Sequence, residues 1–78
     1  MQANEIKELL MAQFEGAMIR VETDGSHCGI LVVSDQFATL NRIKRQQKVY
    51  AVLNKLIADG SIHAVNIKAL THSEWEQR

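Results

Sequence analysis

An α+β domain with the element order αββαβα is predicted for this chain, and three observations predict it. Apolar residues recur at helical spacing over residues 4–14 and again from about residue 40 to 58. Two strand-like runs lie between those helices, separated by turn chemistry, and a third follows the second helix. A capping sequence then opens a last short helix. With 78 residues there is room for one domain, taken here as residues 1–78.

The first helix is read from Ile6, Leu9, Leu10 and Phe14, with Asn4 as its N-cap and Gly16 as its stop. Ile19 and Val21 alternate with Arg20 and Glu22, the pattern of a half-buried strand. Asp24-Gly25-Ser26 makes a turn, and the apolar, β-branched run of residues 28–33 returns as a strand covered on both faces. These two strands form a hairpin. The long helix, residues 40 or 41 to 58, carries Ile43, Val49, Val52, Leu53, Leu56 and Ile57 on its apolar side and ends at Asp59-Gly60. Residues 62–70 form the third strand, with His63, Val65, Ile67 and Ala69 on one face. Thr71-His72-Ser73-Glu74 is a capping box, and Trp75 anchors the helix it opens. The helical crossover from the second strand to the third is long enough for parallel pairing, so the three-stranded sheet is mixed and covered by helices.

Composition narrows the function classes. The single cysteine, Cys28, permits no intrachain disulfide, where small secreted domains usually carry several. No apolar run approaches the ~20 residues of a membrane span, and no signal pattern opens the chain. A cytoplasmic protein is expected. Net charge is zero, but its distribution is uneven. Residues 1–35 balance to −4, residues 36–58 to +5 and the rest to −1. The basic block is Arg42, Lys44, Arg45, Lys48 and Lys55.

Catalysis has no support. The serines sit in no nucleophile elbow, the carboxylates form no acid–base pair, and no phosphate-cradling glycine loop is present. An enzyme is not expected. The remaining chemistry lies in two places. Parallel second and third strands begin at one sheet edge, which brings His27, Cys28 and His63 together as soft-metal ligands. The set is short of the four ligands that closed zinc sites and clusters use, so another molecule must supply the rest. On spacing alone, the plain alternative is a strand-capping His63, a turn His27 and a core Cys28. The second place is the run from Asn41 to Lys48, where Arg42, Lys44, Arg45 and Lys48 are candidate phosphate contacts on a helix surface. Its plain alternative is a solvated helix face.

The segment Ser26-His27-Cys28-Gly29-Ile30-Leu31-Val32-Val33-Ser34 resembles the SHF-x-V-x-V-V-S strand of the BolA family. Ile43-Lys44-Arg45-Gln46-Gln47-Lys48-Val49-Tyr50 is similar to that family's R-H-R-x-V-Y helix. Ile62-His63-Ala64-Val65, Lys68-Ala69-Leu70-Thr71 and Glu74-Trp75 resemble its closing I-H-A-x-x-x-K-x-x-T-P-x-E-W. The short turn and Gln46-Gln47 are most similar to the bacterial branch called IbaG or YrbA. In this chain Cys28 replaces phenylalanine, Gln46 histidine and His72 proline.

The resemblance implies a class II KH-like fold, in agreement with αββαβα. It also implies an iron–sulfur partner protein that binds a monothiol glutaredoxin and shares a 2Fe-2S cluster with it, in iron–sulfur trafficking or the acid-stress response. In that picture His63 is one cluster ligand, His27 the second with Cys28 in reserve, and the glutaredoxin cysteine and glutathione complete the set. The cluster exists only in the complex; alone, the chain is a monomer or weak dimer with no cofactor. The alternative the family offers is a DNA-binding transcriptional regulator that uses the basic helix.

Overall fold

A computed structural model of the chain describes residues 3–24, 27–60, 62 and 64–77. The elements run α1 (Ala3–Gln13), β1 (Met18–Asp24), β2 (His27–Val33), α2 (Arg42–Ala58), β3 (Val65–Leu70) and α3 (His72–Glu76), in the predicted order. One element was not foreseen: a 3₁₀ turn, Asp35–Phe37, which opens the crossover and is capped by the Ser34 hydroxyl accepting from the Gln36 N–H at 3.2 Å. The hairpin tip expected at Asp24-Gly25-Ser26 includes Gly25 and Ser26, which lie outside the described residues.

The sheet is mixed, as expected. Its order is β1-β2-β3, with β1 antiparallel to β2 and β2 parallel to β3. The registers align Arg20, Leu31 and Lys68 on one rung and, two residues along on the same face, Glu22, Gly29 and Asn66. Side chains alternate between faces along a strand. Ile19, Cys28, Ile30, Val32 and Ile67 are buried and join Ile6, Leu10 and Phe14 of the first helical segment with Val49, Leu53 and Leu56 of α2 in one core. Phe37, fully buried, closes one end of it, its ring 5.5 Å from that of Phe14.

The opposite face corrects the expectation that β2 is covered on both faces. Gly29 and Leu31 of β2 are only half-buried there, and Arg20, Glu22, Asn66 and Lys68 are exposed. Strand β2 is therefore fully covered on one face alone, and α3 shields just part of the other. Five residues cannot span a three-stranded sheet: at about 1.5 Å per residue, α3 is roughly 8 Å long.

The helix ends follow their signals with small shifts. Gly16 (φ 78°) and Gly60 (φ 82°) turn the chain out of α1 and α2 in the left-handed region where glycine is favoured. Asn41 caps α2, its Oδ1 accepting from the Lys44 N–H at 2.9 Å. The Thr71–Glu74 capping box is fully formed. Asn4 lies inside the first turn of α1 rather than at its cap. Ile43 is 67% exposed instead of lining the core. At roughly 100° per residue, Ile43 sits about 120° round the helix from Val49, and the position that continues the buried stripe is Arg45. The third strand begins at Val65, so the expected strand is shorter at its start; His63 lies outside the described residues.

Candidate functional site

Parallel pairing places the starts of β2 and β3 at one sheet edge, with Cys28 opposite Val65. Just before β3 the chain is tied across by the Cys28 N–H, which donates to the Ala64 carbonyl at 3.2 Å. Ala64 has φ 41°, the one positive φ of a non-glycine among the described residues. An L-residue pays about 1–2 kcal/mol for that region, so the entry into β3 is a strained corner held by its neighbours.

The two candidates on β2 face opposite ways. Cys28 points into the core and is 2% exposed, and burial pushes its thiol pKa up, away from the thiolate that a metal needs. His27 is exposed at the strand's first position, on the open face. His63, the ligand that the resemblance implies, lies outside the described residues; Ile62 and Ala64 on either side of it are described. Among the described residues no group of three or more His, Cys, Asp and Glu side chains could hold a metal.

The four basic candidates of α2 do not form one patch. Lys44 and Lys48 are exposed one turn apart, and Arg42 lines a cleft between α2 and β3. Arg45 turns inward. Its Nε donates to the Phe37 and Leu40 carbonyls at 3.0 and 2.9 Å, and its Nη1 to the Ala69 carbonyl at 3.3 Å and to Glu74 Oε1 at 2.7 Å. The side chain is 14% exposed. With its donors committed to three elements, Arg45 is a clamp of the fold.

That clamp continues into α3. Glu74 Oε1 accepts from both Arg45 and the Thr71 N–H, and the Thr71 hydroxyl accepts from the Glu74 N–H. The Thr71 amide first, and Arg45 second, hold the Glu74 carboxyl below the usual range. On the other side of the helix start, Asp35 Oδ1 accepts from the His72 N–H at 3.2 Å and lies 3.3 Å from His72 Nδ1. These contacts hold the Asp35 carboxyl low as well, the backbone bond most of all. A proline at position 72 would have no N–H to offer Asp35.

Sequence reasoning missed the open face of the sheet as a site. A cleft of about 300 Å³ lies there, lined by Arg20, Glu22, Gly29, Leu31, Lys68 and Trp75 among others. The Arg20 guanidinium stands 5.9 Å from the Trp75 ring centroid. The alternation of Arg20 and Glu22 with Ile19 and Val21 was the available signal, but it fixes a polar face without revealing that Lys68 and Trp75 close round it.

Comparison with known proteins places this architecture. The family model described as "BolA-like protein" matches residues 8–74. The acid stress protein IbaG of Escherichia coli strain K12 is 44% identical over 75 residues, covering 96% of this chain and 89% of that protein. Among solved structures, BolA1 from Arabidopsis thaliana superposes with a TM-score of 0.81 at 29% identity, covering 92% of this chain and 93% of that one. A bolA protein homologue from Coxiella burnetii gives 0.82 at 25% identity, with 97% of each chain covered. With its mixed sheet, capped closing helix and matching sequence over nearly its whole length, the chain belongs to the BolA family.

Proposed function

We propose that this chain is a non-enzymatic partner of a monothiol glutaredoxin, with which it shares a 2Fe-2S cluster in iron–sulfur trafficking or acid stress. The observation that carries the reading is the common edge at which β2 and β3 begin, with His27 exposed on it and position 63 one residue before the strained Ala64. Strained backbone is retained where the surroundings enforce it, and such outliers cluster at ligand sites. The acid-stress part of the proposal rests on the name of the E. coli relative.

His63 is assigned as one ligand and His27 as the second. Cys28, the reserve, is disfavoured by its burial and its raised pKa. His27 and His63 supply two of four ligands, so the glutaredoxin cysteine and glutathione must supply the others. Histidine ligation on one iron raises the potential of such a cluster above that of an all-thiolate one.

Anaerobic reconstitution with a monothiol glutaredoxin and glutathione, followed by visible circular dichroism, tests this. The expected result is a spectrum distinct from that of the glutaredoxin homodimer, lost in His63→Ala, altered in His27→Ala and kept in Cys28→Ala. An unchanged homodimer spectrum overturns the proposal. The DNA-binding reading then comes forward with Arg42, Lys44 and Lys48, but with Arg45 already engaged inside the fold.

A further inference from the structure

The open sheet face holds a cleft that neither cluster ligation nor the core requires. Its floor is Leu31 and Gly29 of β2, its sides are Arg20 and Glu22 of β1 with Asn66 and Lys68 of β3, and Trp75 forms its end wall. Gly29 is the unexplained residue. Its φ lies outside the left-handed region, and a Cβ built on it would meet nothing nearer than the Glu22 carbonyl oxygen at 3.9 Å. Neither backbone conformation nor crowding calls for glycine there, and glycine weakens a strand interior. What its missing side chain does is deepen the cleft floor.

The charges select the occupant. Arg20 and Lys68 flank Leu31 on one rung, so with strands about 4.8 Å apart their Cα atoms stand roughly 10 Å apart. That spacing lets both long side chains converge on one carboxylate above the central strand. Glu22 and Asn66 flank Gly29 two residues further along on the same face, offering acceptors to N–H groups beyond the carboxylate. Asp24, beyond Glu22 on the same face of β1, adds a second negative charge. A polyanion laid along this face meets those two carboxylates, whereas a single carboxylate followed by amides matches the sequence of charges. The half-buried Leu31 and the dip over Gly29 take a small apolar side chain, against the indole edge. The Arg20 guanidinium already lies over one side of the Trp75 ring, 5.9 Å from its centroid, so a base stacking on that side would have to displace it.

We propose that this cleft binds the C-terminal end of a partner polypeptide: a free carboxylate between Arg20 and Lys68, a small apolar last side chain over Gly29 and Leu31, and the preceding amide toward Glu22 and Asn66. The site is independent of cluster ligation and stands or falls separately from it.

Trp75 is the only tryptophan in the chain, so its emission reports on the cleft directly. Acetyl-Gly-Val with a free carboxylate, titrated to about 10 mM, is expected to change that emission saturably. The same dipeptide as its C-terminal amide should bind at least about tenfold more weakly, as should Lys68→Gln with the free acid. Gly29→Ala, which has room for its Cβ, should keep the thermal midpoint and lose most of the binding. No saturable change with the free acid overturns the proposal. So does equal binding of the amide, undiminished binding by folded Gly29→Ala, or a stronger response to oligothymidylate than to the peptide acid.

Discussion

The two faces of the sheet obey different rules although the same three strands make both. On the inner face, Ile19, Ile30, Val32 and Ile67 meet α1 and α2, and the contacts are apolar. On the outer face the same strands present Arg20, Glu22, Gly29, Asn66 and Lys68, with a five-residue helix shielding one end. Burial carries the stability of the first face and leaves little freedom for exchange of residues. The second face contributes less to the core, which frees its residues to be chosen for what they contact. For a small domain, whose stability margin is narrow, this division puts recognition where substitution costs the fold least.

A pair of truncations gives the largest test of that contrast. Leu53 of α2 is fully buried, so Leu53→Ala should cost about 3 kcal/mol through lost transfer energy and the cavity left behind. Leu31, half-buried on the outer face, should cost about 1 kcal/mol when cut to alanine. Urea unfolding of both variants measures the difference. Equal losses would mean that the outer face is packed as tightly as the inner one.

The next test concerns the residue that joins the two faces. From α2, Arg45 reaches past the end of β3 to hold the Phe37, Leu40 and Ala69 carbonyls and Glu74 of α3. Arg45→Met keeps the aliphatic stem but removes every donor, and a loss of about 2 kcal/mol is expected from the acceptors left unpaired. Arg45→Lys should recover only part of it, because an ammonium cannot reproduce the planar fork. Full stability in Arg45→Met would show that water replaces those bonds at no cost.

Local chemistry was legible in the chain; chemistry made by tertiary contact was not. The Thr71–Glu74 box is spelled within four residues, and Gly16 and Gly60 mark their helix ends by backbone freedom alone. Helical spacing placed Val49, Leu53 and Leu56, yet it recruited the exposed Ile43 and passed over Arg45, since a guanidinium looks like a surface group until its acceptors are known. The candidate ligand edge was legible as topology: parallel pairing alone brings the starts of β2 and β3 together. Which of His27 and Cys28 faces outward needed the register, because a one-residue slip exchanges them. His72 looked in the sequence only like a lost proline, whereas its N–H reaches a carboxylate far away in the chain.

The smallest expected effect is the pH response of that closing helix. Asp35 and Glu74 both have folded-state pKa values below their ordinary ones, Asp35 through the His72 N–H and ring, Glu74 through the Thr71 N–H and Arg45. A lowered carboxylate pKa means that the folded state favours the charged form. The stabilisation is therefore complete above the ordinary carboxylate range and is lost as pH falls through the folded-state values. Because the contacts are at the surface, salt should weaken them. Trp75 sits next to Glu74, so its emission should stay native-like under mild acid and change only below the ordinary carboxylate range. Glu74→Gln should move that change to higher pH, since the remaining amide cannot pair with Arg45 as a charge. Asp35→Asn should have a smaller effect of the same sign, because it gives up only the contacts to His72. An emission profile identical in wild type and Glu74→Gln would show that the outer-face helix is held by Trp75 packing rather than by its carboxylates.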